Sequence, residues 1–498
     1  MATIKVGFGP SYPAADYDTI QAAIDAANPG DTVTVGAGIY NEQVIIDKPL
    51  TLLGAGAYRN PVDGGRPGGE TVLESTFPVM ITANGVTVNG FEIRNFRFGV
   101  YIPAVAFEPP NSLIQNIIIA YNWIHSDAAL VGFNAEPGLL RNLAINNNII
   151  RVNHTAGLFV LAAISFSRGA TKLSTYENVE ISDNEIANLS GEYGIYAAAD
   201  PGAYLINGMV MRCNRFRNAP SGENIHIGNI CNGQLISNVF EDCGASIGMQ
   251  FGSVIGNTFK TGGNLSLLGT ENGYSRPSMH VAITNNNFTD EASGNGLRIR
   301  LGALSYTITA HSNAFRNSGI QPTPPPNYSM GYLIRNEGLG ALGATLNWWD
   351  SSQGPSGNAG GLAGTVTTSP WIPSYTDDPS KQTLPDCWPL SAFLTAEPGF
   401  WPVCPTGVSY IGRTCFGESE CVVLIALVSY SGGDGSGIVV GFDFNTLSII
   451  SQTLAGGVAY VCLGILPEGV YNLTVRAAGY FTDTTEIRIG NCGGPDKT

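Results

Sequence analysis

The chain has 498 residues, a formal net charge of −15, and charged side chains at only 13% of positions, with 63 glycines and 29 prolines. That length can bury a large core and hold two or three units, and the composition is far from a disordered profile. The acidity and the lack of long basic runs argue against nucleic acid, and no apolar stretch approaches the 18 residues of a membrane span. The N-terminus shows no apolar signal segment. The expected location is extracellular or on the surface of a cell, spore or virion, reached by a signal-free route or after removal of a leader.

In chain order, a first strand over Thr3 to Val6 and a Gly/Pro-rich turn lead to a short helix, Asp18 to Ala27. Asp18 or Thr19 can cap it, and Ile20, Ala23, Ile24 and Ala27 form its apolar face. Asn28-Pro29-Gly30 stops it. Strands succeed it at Asp31–Val35, Gly38–Glu42, Val44–Ile46 and Leu50–Leu53. The helix is placed to cover the open end of the strand stack beyond it.

From Asn122 onwards one pattern recurs nine times: an Asn, a variable residue, then a large apolar one. The Asn residues are 122, 148, 184, 214, 238, 257, 286, 313 and 347. Two places after each stands Ile, Phe or Trp, and three places before each stands an apolar residue, Ile119 through Ala344. This period-2 alternation with no helical face predicts an all-β solenoid, each copy one turn of a parallel β-helix with the Asn at its corner. Nine turns at the sheet spacing span roughly 43 Å. Asn side chains stacked along the axis can hydrogen-bond to one another.

Tyr17-Asp-Thr-Ile-Gln-Ala-Ala-Ile-Asp-Ala-Ala, Pro29-Gly-Asp-Thr-Val and Gly38-Ile-Tyr-Asn-Glu resemble the start of right-handed parallel β-helix proteins of the pectin-lyase-like superfamily. Asn347-Trp-Trp-Asp with Gly354-Pro355 resembles their closing turn. The resemblance spans roughly residues 1–375 and implies the fold; both motifs are architectural. Enzymes of that superfamily act on polysaccharides in a groove along one sheet. This chain lacks their Gly-His-Gly motif, and Arg298-Ile299-Arg300 is the nearest echo of an Arg motif.

Residues 376–405 read as a Pro-rich connector, and 406–498 as a small β-sandwich similar to Ig-like or transthyretin-like modules. Cys387, Cys404, Cys415, Cys421, Cys462 and Cys492 crowd this end and read as a disulfide or cross-linking set. The chain's nine cysteines are an odd number, leaving a thiol free or available to another chain. No metal site is expected: no Cys-x-x-Cys occurs, and the five His (125, 154, 226, 280 and 311) lack ligand spacing.

Three places after the ladder Asn, Arg217, Glu241 and Lys260 fall on adjacent turns and read as a salt-bridge ladder. One place further, Asp242 and Asp290 are the catalytic candidates: two turns apart, they approach an inverting-glycosidase separation. Turn chemistry accounts for Asn and Asp there equally well. Trp123 and Trp348, outward in the first and last repeats, are the candidate carbohydrate contacts. The expected function is a non-catalytic structural or adhesive rod, self-assembling into an oligomer or filament and touching polysaccharide, without cofactor. The alternative is an extracellular polysaccharide lyase or glycoside hydrolase with an atypical site, where Ca²⁺ would enter only for the lyase.

Overall fold

The structure, a computed structural model, describes residues 2–369 apart from segments between strands, the longest being 153–161, 316–333 and 348–361. It also describes parts of 408–489. The connector expected over 376–405 lies outside the described residues.

Residues 3–367 wind into a solenoid of parallel strands with three walls. The first wall is an eleven-stranded sheet running from Gly38–Tyr40 to Ala314–Phe315, and from Trp123–Ser126 onwards its strands follow the ladder Asn. The second runs through Val44–Ile46, Val79–Ile81 and their successors; the third includes Thr32–Val35, Leu113–Ala120 and Met279–Thr284. Glu223–Ile236 and Gly244–Ile255 are long enough to pair on both the second and third walls, joining them into one 24-stranded sheet.

Inward positions alternate with outward ones, as the period-2 pattern requires. Ile119, Ile145, Ile181, Met211, Leu235, Val254, Ile283, Ala310 and Ala344 are all completely buried. On the first wall Phe216, Phe240, Phe259, Phe288 and Phe315 stack ring on ring, with centroids 4.6–4.9 Å apart and planes within 12° of parallel. One aromatic per turn, at the inter-strand spacing, makes a continuous column.

The nine ladder Asn residues are buried to 2% exposure or less. Asn214 donates both its backbone N–H and its Nδ2 to Oδ1 of Asn238, each at 3.0 Å. Asn238 does the same to Asn257, and the pattern continues to Asn347. The remaining Nδ2 hydrogen reaches back to the residue three before the previous ladder Asn, as in Asn238 to Met211 O at 2.8 Å. Each buried Nδ2 thus makes two donations, and each Oδ1 from Asn148 to Asn347 receives two, so little capacity is wasted. At the N-terminal end of the ladder, Phe91 N–H donates to Asn122 Oδ1 at 3.0 Å.

The sequence pattern puts the Asn at the corner; the structure places the corner one residue earlier. Tyr121, Asn147, Asp183, Cys213, Ser237 and Asn285 have φ between 54° and 57°, in line with Gly90 and Gly256. Left-handed backbone swings the chain from the third wall to the first, leaving the Asn extended and inward. Gly90 is also needed for space, since a Cβ there would meet Ala57 N at 2.1 Å. A second left-handed stack, Gly85, Asn116, Asn142, Asn178 and Gly208, bends the chain into the third wall. Its Asn side chains form a shorter ladder, Nδ2 of Asn178 to Asn142 Oδ1 at 3.1 Å and Nδ2 of Asn142 to Asn116 Oδ1 at 2.8 Å.

The helix spans Ile20–Ala26, capped by Thr19 Oγ1, which accepts from Ala22 N–H at 3.3 Å. Glu42 accepts from the N–H groups of Ile20 and Gln21 at 2.9 and 3.0 Å, and Lys48 Nζ donates to the carbonyls of Ile24, Asp25 and Ala27. Both helix ends are tied to the first turn by side chains of matching charge. Ile20, Ala23 and Ile24 bury into the solenoid core.

Beyond the solenoid, Val408–Tyr410, Cys421–Val428 and Val458–Ile465 form an antiparallel sheet. Five further strands, from Cys415–Phe416 to Asp483–Ile489, form another. Leu424, Ala426, Phe442, Val475 and Ile487 belong to one buried cluster, separate from the solenoid core.

Three consecutive residues test the inward and outward assignment. Asn238→Ala should cost roughly 3–5 kcal/mol by stranding the two Asn214 donors and the Met211 carbonyl, while the Asn257 oxygen keeps only the backbone N–H of residue 238. Phe240→Ala should cost about 3–5 kcal/mol as a cavity in the stack. Val239→Ala, facing out between them, should cost under about 1 kcal/mol in the same denaturation series. Equal costs at 239 and 240 would mean the two faces are misassigned.

Candidate functional site

The ladder fixes which side chains face outward on the first wall, in two columns. One reads Glu92, Trp123, Ile149, Glu185, Arg215, Val239, Thr258; the other Glu74, Arg94, His125, Arg151, Ala187, Arg217, Glu241, Lys260. Charges pair across turns. His125 Nε2 lies 2.9 Å and Arg94 3.0 Å from Glu92, and Arg94 also meets Glu74. Arg151 meets Glu185. Glu241 is shared by Arg215, Arg217 and Lys260 at 2.8, 3.2 and 3.5 Å. The ladder expected of Arg217, Glu241 and Lys260 is therefore present, with Arg215 as an added member.

Burial opposes ionisation of Glu92, but His125 and Arg94 outweigh it and hold the carboxyl below its ordinary value. For Glu241 burial likewise opposes ionisation and is outweighed by Arg215, Arg217 and Lys260. Trp123 stacks on His125 with centroids 4.3 Å apart, so this candidate sugar contact is braced by an imidazole hydrogen-bonded to Glu92.

The second wall is chemically unlike the first. Its outward register runs Ile45, Met80, Tyr101, Gly132, Ser165, Tyr196, His226, Ser246, Ser266, and then the positions of Arg298 and Arg335. None of these residues is acidic, in a chain of net −15. Tyr193, Tyr196 and His226 form an aromatic group with ring centroids 5.0–5.6 Å apart. The next hydroxyl in register, Ser246 Oγ, is buried without a hydrogen-bond partner. The half-buried aromatic rings are chemistry that suits a ligand with an apolar face, whereas Ser246, fully buried, lies beneath the surface. Aligning the chain on the ladder Asn hides this group, because varying connector lengths put second-wall strands out of step; the alternations Tyr193-Gly-Ile-Tyr196 and Asn224-Ile-His226-Ile are its signal.

Asp242 sits at an exposed left-handed turn, φ 54°, directly after Glu241. That is the turn geometry Asp tolerates well. Asp290, its expected partner, lies outside the described residues, as do Trp348, Cys387, Cys404 and Cys492. Cys415, Cys421 and Cys462 fall on strands whose side chains there are likewise not described. Cys243 is a free, buried thiol; burial pushes it up to about 12, leaving it un-ionised at neutral pH. Among the described residues no group of three or more His, Cys, Asp or Glu is arranged to hold a metal.

Because Glu92 titrates below its unfolded value of 4.5, its pairing stabilises the fold above that pH and is lost as pH falls through the lower folded value. Glu92→Gln should therefore lower the melting temperature at pH 7, and the gap from the parent should close as pH falls below 4.5. A gap that stays constant under acid would assign the loss to packing instead of charge.

No family model, curated protein or solved structure matches the chain.

Proposed function

We propose that this chain is a non-catalytic, stiff β-helical rod of the pectin-lyase-like kind that serves a surface, fibre or virion assembly and contacts glycans. The observation that carries the reading is the non-acidic second-wall register with Tyr193, Tyr196 and His226 grouped on it. Aromatic faces pack against the apolar face of a pyranose while hydroxyls and amides around them fix its orientation. The ladder supports the mechanical half of the reading, since nine fully satisfied buried amides in series resist local opening. The helix over Ile20–Ala26 acts as the cap of the first turn. The two C-terminal sheets act as a sandwich module that docks a neighbouring copy, with the terminal cysteines available for cross-linking.

A glycan-cleaving enzyme is the second reading, favoured by the same register, where His226 neighbours Ser246 and the Arg298 and Arg335 positions follow beyond Ser266. Panels of neutral and uronate glycans, assayed for binding and for turnover with and without Ca²⁺, separate the two. Binding without turnover is expected. Tyr196→Ala should weaken it by about tenfold, the loss of one aromatic contact. Turnover of any glycan overturns the non-catalytic reading. Light scattering tests assembly: the full chain should form oligomers at micromolar concentration and a chain cut near residue 400 should be monomeric. A strictly monomeric full chain, oxidised or reduced, overturns the docking role.

A further inference from the structure

The outer column of the first wall carries a second regularity. Arg94, Arg151, Arg217 and Lys260 stand on every second turn, with His125, Ala187 and Glu241 between them. Two turns of parallel sheet are roughly 9.5 Å, so the four cations are evenly spaced along the axis. Their carboxylate partners lie deeper. Glu92 is 6% exposed, Glu185 21%, and Glu74 and Glu241 23%, against 25% for Arg151, 31% for Arg94 and Arg217 and 47% for Lys260. The acids brace the cations from beneath, and positive charge is outermost. Trp123 and Val239 in the adjoining column add apolar surface beside the charges.

We propose that this face binds a linear anionic glycan bearing one acidic group per disaccharide, laid parallel to the rod axis. An extended chain of that kind presents its charges at about the interval of the cations, and its uncharged sugars would lie over His125, Ala187 and Glu241. A polymer charged on every sugar would instead bring an anion against Glu241. This site is on a different wall from the aromatic group and stands independently of the reading given to it.

Hyaluronan oligosaccharides, with one carboxylate per disaccharide, polygalacturonate, with one per sugar, and neutral cello-oligosaccharides are the probes, titrated calorimetrically at low and high salt. Hyaluronan should bind most tightly, weaken with salt, and lose about fivefold on Lys260→Gln and again on Arg151→Gln, the contribution of one partly exposed charge contact. In both variants the carboxylate left behind keeps another cation, Arg215 and Arg217 for Glu241 and Arg217 for Glu185, so melting temperatures should hold. Tyr196→Ala should leave hyaluronan binding unchanged. Equal affinity for polygalacturonate, insensitivity to either cation variant, a loss on Tyr196→Ala, or no binding by the folded protein would each overturn the proposal.

Discussion

One buried oxygen per turn organises the molecule. From Asn148 onwards the Oδ1 of each ladder Asn accepts the backbone N–H and the side-chain amide of the Asn before it, within a core that offers no water as a substitute. An unpaired amide there would cost roughly 1–3 kcal/mol, so a turn that slips by one residue loses its ladder bonds and turns its apolar face outward at once. Register on all three walls is thereby tied to a single column. The phenylalanine stack, two residues along, inherits its alignment from the same column.

The outward surfaces are set by that register. On the first wall it brings Arg217, Glu241 and Lys260 side by side and sets cations on alternate turns. On the second it brings Tyr196, His226 and Ser246 together although 20 to 30 residues separate each from the next. A solenoid can therefore build a long surface of one chemical character by repeating a residue type at one phase. Here two walls differ in kind: one is laced with ion pairs, and the other has no acid along its register.

The sequence shows the ladder and the inward columns of the first and third walls because buried positions accept few residue types. Asn214, Asn238 and Asn257 cannot vary without losing bonds, and Phe216, Phe240 and Phe259 fill one continuous space. The left-handed corner is hidden for the opposite reason. Tyr121, Asp183, Cys213 and Ser237 share a φ near 55° but no chemistry, since the constraint acts on backbone and their side chains are not part of the ladder. The aromatic group is hidden because connectors of different length precede each second-wall strand, so no single offset from the Asn recovers its phase. Asp242 stands out in the sequence but belongs to a turn, where Asp is common for conformational reasons.

The claim that one satisfied column holds the register is most directly tested by native-state hydrogen exchange of the ladder backbone amides. If it is right, the N–H groups of Asn184, Asn214, Asn238 and Asn257 exchange among the slowest in the chain, and with a common free energy of opening shared by the wall strands on either side. Ladder amides that exchange at the rate of the connectors while those strands stay protected would show that the column is a consequence of the fold and not its support.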